Sequence, residues 1–95
     1  MSIENNEAHK FISFRDATKK LSTQMQYLSF FVNPDKRAHE DGTPYFSDIR
    51  IEGNPDDYHF LKIHSDDVRL FIEKWFEYKK STSPFFVDKK LEDFL

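Results

Sequence analysis

SDDVRLFIEKWFEYKK, residues 65–80, reads as an amphipathic helix of about four turns. Ser65 offers a hydroxyl that can accept a hydrogen bond from an orphan amide of the first turn, which makes it the expected N-cap. Asp66 and Asp67 place negative charge at the positive end of the helix dipole, and Lys79 and Lys80 place positive charge at the other. Val68, Phe71, Ile72, Trp75 and either Phe76 or Tyr78 recur at the spacing of one helix face. Such a stripe must be buried against a second apolar surface, and the segment before it supplies one.

Tyr45–His64 predicts an antiparallel hairpin or small sheet. From Tyr45 to Glu52 the residues alternate, with Ser47, Ile49 and Ile51 on one face and Phe46, Asp48, Arg50 and Glu52 on the other. Gly53-Asn54-Pro55-Asp56-Asp57 has the composition of a turn. Beyond it His59, Leu61 and Ile63 share the inner face, while Tyr58, Phe60, Lys62 and His64 share the outer one. A turn of this length sets Ile49 opposite Leu61 and Asp48 opposite Lys62, an apolar pair on one face and an ion pair on the other.

Lys10 to Val32 contains neither Gly nor Pro and ends at Asn33-Pro34, a common helix stop. Phe14, Ala17, Leu21, Met25, Leu28 and Val32 (or Phe31) fall at helical spacing, and Ser13 with Asp16 resembles a capping box. The expectation is an N-terminal helix. A competing reading places strands at Phe11–Phe14 and Met25–Val32, favoured by Thr18, Ser22, Thr23 and Ser29 and by the alternation through Met25, Tyr27, Ser29 and Phe31. Met1–His9 is a polar tail and Pro34–Pro44 a charged loop. Ser83-Pro84 opens a short C-terminal helix with Phe85 or Phe86, Val87, Leu91 and Phe94 or Leu95 as its apolar side. Residues 1–95 thus form one small α+β domain.

Composition narrows the function classes. Only 38% of the 95 residues are apolar, but 17% are aromatic and eleven are Phe, so the core consists of a few large rings. The absence of cysteine excludes disulfides and thiolate metal sites and fits a cytoplasmic protein. No apolar leader and no membrane span is legible. A net charge of −3, from 17 acids and 14 bases, lacks the basic footprint of a duplex-DNA binder.

Catalysis finds little support. His39-Glu40-Asp41, with His9 or His64, could ligate a metal in principle, but adjacent loop residues rarely converge on one ion, so neither metal nor cofactor is expected. The carboxylates at Asp56-Asp57, Asp66-Asp67 and Glu92-Asp93 each have a local role in a turn or at a helix end. With no cysteine, no Ser in an elbow motif and two glycines, neither a nucleophile site nor a phosphate loop can be built. The expectation is a non-enzyme.

Two binding readings remain. Phe30, Phe31, Phe85, Phe86 and Phe94 are rings in excess of a complete helix stripe and hairpin face, and surplus apolar surface on a small domain marks a protein contact. This predicts a protein-binding module, an accessory regulator or inhibitor that also forms a homodimer. The alternative uses Phe46, Arg50, Tyr58, Phe60 and Lys62 on the outer hairpin face, where aromatics interleaved with cations suit single-stranded nucleic acid. If Phe11–Phe14 and Met25–Val32 are strands, four strands then a helix resembles single-strand-binding transcriptional coactivators, in element order alone.

Overall fold

The computed structural model describes residues 10–36 and 43–95. The long helix is present: a 3-10 turn over Ser65–Asp67 leads into α3, Val68–Thr82. Its buried residues are Phe71, Ile72, Trp75 and Phe76, two i,i+4 pairs that together make one stripe. Lys79 and Lys80 lie in its last turn, as the dipole argument requires. The hydroxyls of Ser81 and Thr82 both donate to Tyr78 O at 2.9 Å, and Pro84 prevents continuation.

The cap, however, is not Ser65. His64 precedes the turn in extended conformation, and its Nδ1 accepts from the Asp66 amide at 3.1 Å. The Ser65 amide instead donates to Lys10 O, tying the helix entrance to the first strand. Because the sheet runs directly into the helix, the last strand residue reaches the first orphan donor.

Three strands form an antiparallel sheet in the order β1-β3-β2, with β1 at Phe11–Ser13, β2 at Ile51–Glu52 and β3 at Lys62–His64. The hairpin register departs from expectation. Ile51 pairs with Ile63 and Glu52 with Lys62, in place of Ile49 with Leu61 and Asp48 with Lys62. The cause is the connection: after Gly53 (φ 105°), Pro55–Phe60 winds into 3-10 turns, with the Asn54 side chain accepting from the Asp56 amide. The offset is even, so the aliphatic residues near the ladder keep their face. Ile49, Leu61 and Ile63 are all buried, and Asp48 pairs with Lys74 of α3 at 2.9 Å instead of with Lys62. Tyr45–Arg50 is irregular, and the Phe46 amide donates to Phe31 O at 2.7 Å.

Lys10–Val32 is neither one helix nor two strands. After β1, Ser13 Oγ accepts from the Asp16 amide and caps α1, Phe14–Ala17. Thr18 ends it, its hydroxyl bonded to Phe14 O at 2.8 Å, a side-chain alternative to the helix ladder. Lys19–Leu21 is a 3-10 turn, and Ser22 then adopts a left-handed conformation (φ 53°) that redirects the chain. Helix α2 follows at Met25–Phe30, ending before the expected stop at Asn33-Pro34, and Pro34–Lys36 forms a 3-10 turn. The four-strand order behind the coactivator resemblance is therefore not formed.

The core is a contact chain of rings. Phe31 stacks on Phe46 at 5.2 Å, and Phe71 meets Phe46, Phe14 and Phe31 edge-on. Offset-stacked and edge-to-face pairs of this kind add about 0.5–1.5 kcal/mol each beyond burial. The polar tail, most of the charged loop, and His9, His39, Glu40 and Asp41 lie outside the described residues.

Candidate protein-binding surface

The five expected anchor residues separate into three groups. Phe31 is fully buried at the centre of the ring chain and is unavailable to a partner. Phe30 is half-buried against Tyr27, at the edge of a small cavity shared with Asn33 and Tyr58. Phe86 and Phe94 stack on one another at 5.7 Å and each meets the Trp75 indole edge-on, at 5.5 and 5.3 Å. Phe85 points away and is 83% exposed.

Local geometry explains the split. The expected C-terminal helix is instead two 3-10 turns, Pro84–Phe86 and Leu91–Phe94. Adjacent residues on such a turn cannot both face the body, so Phe86 packs down and Phe85 stands out. Val87, expected on the inner side, is 65% exposed for the same reason. The first turn is fixed from beneath, by Phe86 against Trp75 and Phe76 and by Lys79 over the Phe86 ring. Phe85 and Val87 are thus presented on a braced support. Phe60 (76%) and, on the edge strand β1, Ile12 (39%) are also exposed.

The residues of the nucleic-acid alternative do not share one face. Phe46, expected outside, is in the core, because the shortened β2 leaves its segment free to turn inward onto Phe31 and Phe71. Arg50 is committed to Asp67: its amide and Nε donate to Oδ2 at 2.8 and 2.9 Å, and Nη2 donates to Oδ1 at 3.0 Å. The Arg50 guanidinium so bound holds the Asp67 carboxyl below the usual carboxylate range, against the opposing pull of burial. Tyr58 is half-buried against the His59 ring, and Lys62 is exposed but faces Glu52 across the strands. Only Phe60 and Lys62 stand fully outward. His59, expected on the inner face, is exposed and 3.2 Å from Arg15 Nη2. His64, expected outside, is buried and edge-on to Phe11.

A groove of about 340 Å³ lies between the Asp16–Lys20 turn, the start of α3 and the Phe94–Leu95 end. Ala17, Val68, Ile72 and Phe94 form its apolar wall, and Lys20 Nζ donates to Leu95 O across it. No sequence pattern announced this groove, since it needs three segments distant along the chain. Among the described residues no three His, Asp or Glu side chains gather as a metal cage, and no helix is long and apolar enough to cross a membrane. No protein-family description, curated protein or solved structure matches the chain.

Proposed function

We propose that this is a small non-catalytic protein-recognition module, an accessory regulator or inhibitor that holds its partner, and a second copy of itself, through exposed aromatic anchors. The observation that carries the reading is the exposure of Phe85 and Val87 on a turn braced by buried rings. Burying a ring of this size in an interface is worth about 1.5–3 kcal/mol, and a support already ordered spares the entropy of arranging it. Of the eleven phenylalanines, Phe60 and Phe85 alone are largely exposed, so the fold shelters its other rings at least in part. A chain without cysteine suits a reducing compartment, and the cytoplasm is the location assigned with this reading.

Phe85→Asp tests it. The residue is exposed, so the fold is expected to survive, and self-association in light scattering is expected to disappear. A wild-type protein that stays monomeric at every concentration and binds no protein would overturn the proposal. Single-stranded nucleic acid is the competing occupant, now reduced to Phe60, Lys62 and the half-buried Tyr58. Salt-sensitive quenching of a labelled oligonucleotide by wild type but not by Phe60→Ala would favour it instead.

A further inference from the structure

Residues 84–95 form a strap that lies across the Trp75–Phe76 face of α3. Among the described residues, the strap's backbone hydrogen bonds are internal to it or run to Ser83: Phe86 to Ser83, Val87 to Pro84, Lys89 to Phe86 and Asp93 to Lys90. Ser83 in turn bonds Lys79 O at the helix end. Among the described residues, the hydrogen bond that joins strap to body is the exposed Lys20 Nζ to Leu95 O contact, 3.0 Å long. The strap is otherwise held by side chains, chiefly Phe86 and Phe94 on Trp75 and Phe76. The Trp75 ring that these two phenylalanines cover is fully buried, and its indole N–H has no acceptor among the described residues.

We propose that this strap is an exchangeable element. It docks on Trp75 and Phe76 of its own chain in the monomer, and on the same residues of a second copy in a strap-exchanged dimer. The proposal deepens the recognition reading above and rests on it, naming a second copy as the occupant of this face. Complementarity is already present, since a second copy offers the same rings to the same receiving surface. Exchange adds new contacts only at the hinge, where the two chains run past each other. The hinge here is Ser83, extended (φ −132°, ψ 121°), followed by Pro84, which cannot rejoin the helix. Next to it stand Phe85 and Val87, apolar residues that the closed monomer leaves uncovered. Crossing straps would bring them together and bury them.

The chain has no cysteine, so a reporter pair can be installed cleanly in the full-length protein. Lys19→Cys and Leu95→Cys place one thiol on each side of the groove that the strap closes. The dimer fraction is isolated by size, bridged with a short bis-maleimide, and run on a denaturing gel. Exchange predicts covalent dimers from the dimer fraction and cross-linked single chains from the monomer fraction. Phe85→Asp with Val87→Asp, both at exposed positions, is expected to abolish the covalent dimer while monomers still cross-link. Lengthening the hinge with Gly-Ser repeats after Ser83 is expected to shift dimers to monomers, because a longer hinge lets the strap fold back. A dimer fraction that cross-links only within single chains overturns exchange and leaves the recognition reading standing. A protein monomeric at its highest soluble concentration overturns both exchange and self-association.

Discussion

Replacing Asp67 with alanine should unfasten the start of α3 from the strand beside it. The Asp67 side chain is 10% exposed and its carboxylate accepts three hydrogen bonds from Arg50, one from the backbone amide and two from the guanidinium. Losing the acceptor of that amide costs about 1–3 kcal/mol. The guanidinium side is 53% exposed and regains water on release, so its share is at most about 1 kcal/mol. The expected loss at neutral pH is therefore about 1–4 kcal/mol, a fall of about 1–3 M in the urea midpoint of a protein this small. Asp67→Asn, which keeps an acceptor but not the charge, should lose less.

The pH dependence has a definite sign. The folded protein holds the Asp67 carboxyl below its ordinary value, so near the unfolded value of about 3.9 the unfolded chain binds more protons and stability rises with pH. The contribution is complete above that value and is lost as pH falls through the folded one. Urea midpoints of wild type and Asp67→Ala, compared from neutral to strongly acidic pH, should therefore converge at the acid end. Equal midpoints at pH 7, or a gap that stays constant into strong acid, would refute the clamp.

Two further substitutions probe the fold. Phe46→Ala should cost about 3–5 kcal/mol in a urea melt because it empties a place in the ring chain, whereas Phe60→Ala, at an exposed site, should stay within about 0.5 kcal/mol. Equal effects would show that the two rings are wrongly assigned to core and surface. Ser22→Gly should hold or raise the stability, since glycine accepts the left-handed backbone freely, and Ser22→Val should lower it by about 1–2 kcal/mol in a urea melt. A valine variant as stable as wild type would mean that this conformation is not needed to break the segment.

Long periodicity and face parity were legible in the sequence; the exact pairing was not. The stripe from Phe71 to Phe76 announced α3, and alternation placed Ile49, Leu61 and Ile63 inward even though the register moved. Parity survives any even slip, while register depends on the turn, and Pro55–Phe60 winds into 3-10 turns that no hairpin rule anticipates. The 10–32 segment was ambiguous because its hydroxyl residues compete with the helix ladder: Thr18 and Ser22 stop it, and each competing reading holds for one end. Among the surplus rings, sequence signalled that some must face out but not which. Phe85 and Phe86 are chemically equal, and the 3-10 turn alone decides between them. Phe46 was misplaced because its alternation suited a strand that the chain abandons after two residues.

The sole tryptophan, sealed by Phe86 and Phe94, has a bearing on any optical melting curve of this protein. Its emission reports first on detachment of the last dozen residues, whereas far-ultraviolet dichroism reports on α3 and the short helices. A red shift that runs ahead of ellipticity would trace peeling at one end of the molecule, and a fit treating emission as a global signal would understate the stability of what lies beneath.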